Sequence, residues 1–164
     1  MSEIDDKWRE IQWIGDPVDE GGGSGEGATP DGRGRFRDFQ VGTIYWTPET
    51  GAHEIHGDIR VKWAQVAGSR LIGYPTTDES PCPDGVGRFN HFEHGSIYWT
   101  PSTGAFEVHG AIRDLWASMG WERSSLGYPL RDESGAPDNR FSRFQGGVIT
   151  WTPSGGAKMA GNID

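Results

Sequence analysis

Ser96-Ile97-Tyr98-Trp99-Thr100-Pro101-Ser102-Thr103-Gly104-Ala105-Phe106-Glu107-Val108-His109-Gly110 is one copy of a pattern that the chain repeats. Ile44-Tyr45-Trp46-Thr47-Pro48 stands 53 residues before its counterpart, and Ile149-Thr150-Trp151-Thr152-Pro153 follows 52 residues after it. Phe36, Phe89 and Phe141 keep the same step, as do Phe39, Phe92 and Phe144. Trp63 and Trp116 each follow an isoleucine by four residues, as Trp8 follows Ile4. Sixteen of the nineteen aromatics hold repeat-equivalent places. A period of this length marks a repeat architecture, in which one supersecondary unit completes its core against the next.

Division before each Ile–Trp pair gives repeats 1–57, 58–110 and 111–164. Ile59 and Trp63 lie one helical turn apart on one face, and Ile112, Trp116 and Met119 continue such a stripe. Gly68 and Gly120 are placed to end these helices. Ile72-Gly73-Tyr74-Pro75 and Leu126-Gly127-Tyr128-Pro129 follow; proline holds the tyrosine extended, so the connection is rigid and non-helical. Asp31-Gly32 and Asp84-Gly85 mark turns, with Asp138 in the equivalent place. Two β-prone runs flank His94-Gly95, which reads as a tight hairpin with the glycine at positive φ. Each repeat is thus helix, rigid turn and small β-meander. The fold class is α+β: three tandem repeats packed as one domain, with a pseudo-threefold arrangement like a ring or propeller. The outer repeats deviate as capping repeats do. The first has Ile14-Gly15-Asp16-Pro17 without the tyrosine, and the glycine-rich run from Gly21 to Gly34 reads as a flexible loop.

Composition narrows the functions. The formal net charge of −9 argues against a phosphate backbone as partner, since such binding runs on Lys and Arg. No long apolar run and no basic amphipathic stretch supports membrane insertion. Met1 to Asp6 lacks the basic and apolar regions of a secretory signal, so a cytoplasmic location is compatible with this reading. The single cysteine, Cys82, excludes an internal disulfide, and no positioned base marks it as a nucleophile. His53-Glu54-Ile55-His56 reads as a strand with diverging histidines rather than a zinc-protease helix. No metal or cofactor is called for. Paired acids such as Asp78-Glu79 raise a polysaccharide hydrolase as a third reading, but that chemistry needs two carboxyls facing across one cleft.

The repeated residues suit sugar binding, which takes flat aromatic faces for the C–H side of a pyranose and polar groups for its hydroxyls. In a strand one ring of each Tyr-Trp pair faces the core and the other faces out. The persistence of Trp151 suggests Trp inside, and Thr150 suggests Tyr45 and Tyr98 outside; the alternative packs both rings between repeats. Glu79 and Glu133, with Glu20, follow the Gly-x-Pro turn and can bind sugar hydroxyls or fix the turn itself. His56 and His109 precede a glycine and the next helix, where an imidazole can donate to a ligand or cap the helix. Tyr74 and Tyr128 of the turn complete the candidate set. Arg35, Arg88 and Arg140 recur beside the first Phe, placed to stack on a ring or pair with Glu.

Leu126-Gly127-Tyr128-Pro129, Ile72-Gly73-Tyr74-Pro75, Gly95-Ser96-Ile97-Tyr98-Trp99-Thr100-Pro101 and Glu107-Val108-His109-Gly110-Ala111-Ile112-Arg113 resemble the LGFP repeat of actinobacterial envelope proteins. Tyr replaces Phe in both copies of the core motif, and the resemblance covers nearly the whole chain. It implies a module that binds cell-wall or cell-surface glycans; with the repeated candidate residues and no marked catalytic set, the chain reads as non-enzymatic and lectin-like, with two or three similar sites near repeat junctions. The resemblance also implies a secreted or wall-associated location. The rival reading is a protein-interaction or structural module whose junction grooves hold a partner.

Overall fold

In the computed structural model of the chain, residues 2–18, 25–66 and 68–160 are described. Each repeat contributes a helix and a four-stranded antiparallel sheet. Helix α1 (Glu3–Glu10) precedes strands β1 (Gly27–Ala28), β2 (Arg35–Asp38), β3 (Gly42–Thr47) and β4 (Gly51–His56), paired in that order. Helices α2 (Gly57–Gln65) and α3 (Gly68–Leu71) lead into the sheet β5 (Ser80–Pro81), β6 (Arg88–His91), β7 (Gly95–Thr100) and β8 (Gly104–His109). Helix α4 (Gly110–Met119) precedes β9 (Ser134–Ala136), β10 (Asn139–Phe144), β11 (Gly147–Thr152) and β12 (Gly156–Ala160). All three sheets are open. The chain divides into two compact units, Met1–Ser80 with Asn90–Glu93, and Pro81–Phe89 with His94–Asp164.

One latch is built three times. The indole N–H of Trp8, Trp63 and Trp116 donates to the carbonyl of Gly15, Gly73 and Gly127, at 2.8, 3.0 and 3.2 Å. Each of these glycines has positive φ, at 88°, 81° and 70°. A side chain there would also strike Gln40, Glu93 or Gln145. Those three residues bring Oε1 to 3.0 Å from the next backbone N–H, that of Asp16, Tyr74 or Tyr128. The following prolines, Pro17, Pro75 and Pro129, bridge to Phe39, Phe92 and Phe144. The helix tryptophan and the Gly-x-Pro turn therefore hold one another in place, with the glycine carbonyl and the next backbone N–H of each turn satisfied.

In the first unit Ile4, Ile14, Phe39 and Ile44 form a buried cluster flanked by Trp8 and Trp46, and a second cluster gathers Phe36, Tyr45, Trp63, Tyr74 and Phe92. In the second unit Tyr98, Trp116, Tyr128 and Phe144 pack with Ile112, Leu126 and Ile149. Rings and isoleucines share the interior, with Ile4, Ile14, Ile44, Ile55, Ile72 and Ile97 fully buried beside them.

Several expectations need correction. Gly95 is the first residue of β7, not a turn residue at positive φ. Its equivalent Gly42 shows why glycine stands there, because a Cβ would lie 2.5 Å from the Ile55 carbonyl. The two-residue turn falls one place earlier, as Gln145-Gly146 between β10 and β11. Gly68 does not end α2 but starts α3, where its bare Cα accepts the Trp63 indole. Gly120 does end α4, in the left-handed conformation. Glu20 and Gly21 to Ser24 lie outside the described residues. Beyond them the supposed loop carries β1 and a turn in which Asp31 accepts from the Thr29 hydroxyl and the Arg33 N–H.

Candidate functional site

Helices α2 and α4 each begin just after a histidine that ends a strand, and that histidine is clamped from both sides. His109 places Nδ1 2.7 Å from Glu107 and Nε2 3.0 Å from Glu133. His56 does the same with Glu54 at 2.7 Å and Glu79 at 3.0 Å. Strand alternation puts Glu54 with His56, and Glu107 with His109, on one face. Each strand glutamate also accepts the backbone N–H of the distal one, Glu79 at 2.9 Å and Glu133 at 3.1 Å. Both glutamates of each clamp are more than nine-tenths buried.

Burying two carboxylates together demands a cation between them. Hydrogen bonds to Glu54 and then Glu79 hold the His56 imidazole protonated, its pKa pushed up to about 9. Burial opposes the charge on His109, but the bonds to Glu107 and Glu133 outweigh it and raise the pKa to about 10. An imidazolium bonded through both nitrogens has no lone pair to take a proton, so neither histidine is available as a general base.

The first repeat carries a variant of the clamp. Ser2 caps α1 by accepting from Asp5 N–H at 3.1 Å, and its hydroxyl donates to Glu26. Glu26, not Glu20, holds the place of Glu79 and Glu133, just ahead of the first strand of its sheet. Ser2→Ala removes the cap and is expected to cost about 1 kcal/mol, read from the urea midpoint at unchanged m.

Around His109 the clamp opens onto a cleft of about 240 Å³, lined by His109, Ile112, Glu133, Arg140 and Trp151. Arg140 holds its guanidinium against Glu133 at 3.0 Å and the Gly135 carbonyl at 2.7 Å. In the first repeat Arg35 lies over the Trp46 ring at 4.7 Å and pairs with Glu3 at 3.0 Å. The recurrent arginine thus holds the clamp glutamate in the third repeat and lies over the strand tryptophan in the first.

The expected outward tyrosine is overturned, while the strand tryptophan keeps the inward face, Trp46 and Trp151 packing beside the buried Ile44 and Ile149. Tyr98 is 2% exposed, stacked on Phe89 at 5.1 Å and edge-on to Trp116 at 4.7 Å. Trp46, Trp99 and Trp151 are half-buried. A helix tryptophan lies against the tyrosine's face of the sheet and claims that ring for the core. Tyr74 and Tyr128 are buried too, and the Tyr128 hydroxyl donates to Asp84. These three tyrosines therefore support the scaffold instead of presenting rings to a ligand. Tyr45 is half-buried and lines a separate cleft. Of the expected site residues, the structure brings together His56 with Glu79, and His109 with Glu133. It adds Glu54, Glu107 and Trp151.

Other candidates resolve as structure. Asp84 accepts from the N–H groups of Val86 and Gly87 at 2.8 and 3.1 Å, which fixes its turn. Cys82 is 2% exposed, and burial pushes its thiol up to about 11, far from a reactive thiolate. His53 turns away from His56 to meet Asp78 at 3.0 Å. Among the described residues no helix is long and apolar enough to cross a membrane.

These features define an α+β repeat protein with a carboxylate-clamped histidine at the head of two of its helices. A sequence profile described as the LGFP repeat matches residues 23–70, 72–124 and 126–163, and the chain belongs to the LGFP repeat family. No curated protein sequence matches the chain.

Proposed function

We propose that the protein is a non-catalytic, lectin-like module that binds glycans, with the cleft at His109 and Trp151 as its best-formed site. The observation that carries this reading is the lining of that cleft: an indole beside a guanidinium and a carboxylate that the His109 imidazolium holds in place. A pyranose offers an apolar C–H face to an indole and a ring of hydroxyls to charged partners. The volume suits one sugar ring and not a drug-sized ligand. The lattice of ion pairs sets these groups before any ligand arrives, which lowers the entropic cost of binding.

Catalysis fits the same residues poorly. Glu107 and Glu133 are both engaged by one imidazolium, whereas a glycosidase sets two carboxyls across the scissile bond. The repeats supply the clamp more than once, which suits multivalent attachment to a polymer such as a cell-wall polysaccharide. The pseudo-threefold placement of the repeats and a secreted, wall-associated location belong to this proposal.

Retention of the protein on insoluble cell-wall polysaccharide tests it. Trp151→Ala is expected to lower retention at least about tenfold, with the melting temperature moving by only a few degrees. Free arabinose, galactose, rhamnose or N-acetylglucosamine at millimolar concentration should compete for a single weak site. Retention indifferent to both Trp151→Ala and every free sugar would end the reading.

A further inference from the structure

The geometry points to a second site, on the first unit, that takes the tryptophan side chain of a partner polypeptide. It does not rest on glycan binding and involves no residue of the His109 cleft. The cleft is about 360 Å³, lined by Tyr45, Arg60, Val61, Trp63, Ala64 and Gln65.

The second unit shows what fits such a place. There Tyr98, Arg113 and Trp116 stand as Tyr45, Arg60 and Trp63 do. The paired rings are 4.7 Å apart for Tyr98 and Trp116, and 4.8 Å apart for Tyr45 and Trp63. Both arginines are held by the same bond, Arg113 Nε to Ser96 Oγ and Arg60 Nε to Thr43 Oγ1, each 2.8 Å. In the second unit the space is filled from within by Trp121. Its indole stacks on Tyr98 at 6.0 Å and 24°, meets Trp116 edge-on at 5.3 Å, and lies under the Arg113 guanidinium at 5.4 Å.

No tryptophan answers to Trp121 in the first unit: Gly68 stands five residues after Trp63 as Trp121 does after Trp116, and the run from helix tryptophan to turn glycine is 10 residues there against 11 in the second unit. Trp121 is the one non-glycine residue at positive φ among the described residues, at 57°, a conformation whose cost the seated ring offsets. Among the described residues of the first unit the same three walls line an open cleft. Accordingly Tyr45 is half-buried against 2% exposure for Tyr98, and Trp63 is 8% exposed against 0% for Trp116. Two aromatic walls and a guanidinium lid recognise a flat, electron-rich ring through offset stacking, edge contact and cation–π attraction.

The test titrates N-acetyl-tryptophanamide into the ¹⁵N-labelled protein. The indole N–H of Trp63, which donates to Gly73, is expected to shift and saturate with a Kd of about 1–10 mM. The indole N–H of Trp116 should stay still, because its cleft is already occupied. Arg60→Ala is expected to weaken binding about three- to tenfold. Trp121→Ala opens the second cleft, so Trp116 should then respond as well; if that variant does not fold, the wild-type comparison stands by itself. An unmoved Trp63 signal would overturn the proposal. So would equal shifts at Trp63 and Trp116 in the wild type, or equal responses to N-acetyl-leucinamide or to methyl galactoside.

Discussion

Between pH 7 and pH 9 the melting temperature is expected to fall by roughly 10 °C, through loss of the two clamped imidazolium charges. The folded-state pKa values, about 9 for His56 and about 10 for His109, stand above the ordinary histidine value near 6.5. A group raised in the folded state stabilises fully below its unfolded pKa and loses that contribution as pH rises through the folded one. The loss therefore begins near pH 6.5 and runs to about pH 10. Each imidazole is only about one-fifth exposed, so solvent screens the clamps weakly. The two sites together lose on the order of 4 kcal/mol by pH 9. Above that pH the buried Cys82 thiol, also raised, adds a further loss. The double variant His56→Gln/His109→Gln separates the two causes: it should start less stable at pH 7 and show a nearly flat profile up to pH 9. A wild-type profile equally flat over that range would show that the clamps hold no protonated imidazole.

Tyr98→Ala is expected to destabilise the protein by about 4 kcal/mol, lowering the urea midpoint at unchanged m. Tyr98 is 2% exposed and central to its cluster, touching Phe89, Trp116, Trp121 and Tyr128. Truncation leaves a ring-sized void among side chains held by their own hydrogen bonds, such as Trp116 to Gly127, which cannot collapse to fill it. Trp151→Ala, at a half-buried position, should cost far less. A small loss from Tyr98→Ala would restore the outward tyrosine that the sequence suggested.

The outward tyrosine shows where sequence reasoning stops. Period and pattern located the helices, the rigid Gly-x-Pro turn and three equivalent repeats, because each rests on local chemistry. Strand alternation also established that Tyr98 and Trp99 face opposite ways. That the tyrosine's face is covered as well as the tryptophan's depends on the helix lying against it, and that is tertiary information. Trp151 serves two ends, packing against the core cluster of its unit while one edge lines the cleft.

The candidate site was half legible. His56, His109, Glu79 and Glu133 are singled out by their recurrence beside helix starts and turns. That each histidine bridges to its glutamate, across 23 residues in one clamp and 24 in the other, is not written in any spacing. Glu54 and Glu107 were within reach, since two residues along a strand is one face and Glu-x-His recurs. Spacing from the Gly-x-Pro turn points to Glu20, because the glycine-rich insertion displaces Glu26 from the offset that Glu79 and Glu133 keep. Trp121 carried no repeat signal, and its part as a built-in plug emerges only beside the open cleft at Trp63.

The most direct measurement is a titration of the ¹⁵N-labelled protein with the wall monosaccharides, following the indole N–H of Trp151 and the ring signals of His109. Glycan recognition at this cleft predicts that one sugar moves both together, saturably, and that Glu133→Gln weakens the effect about tenfold while the fold is retained. Signals from Trp151 and His109 that stay fixed through every sugar, while the protein remains bound to wall polysaccharide, would place recognition elsewhere and contradict the account.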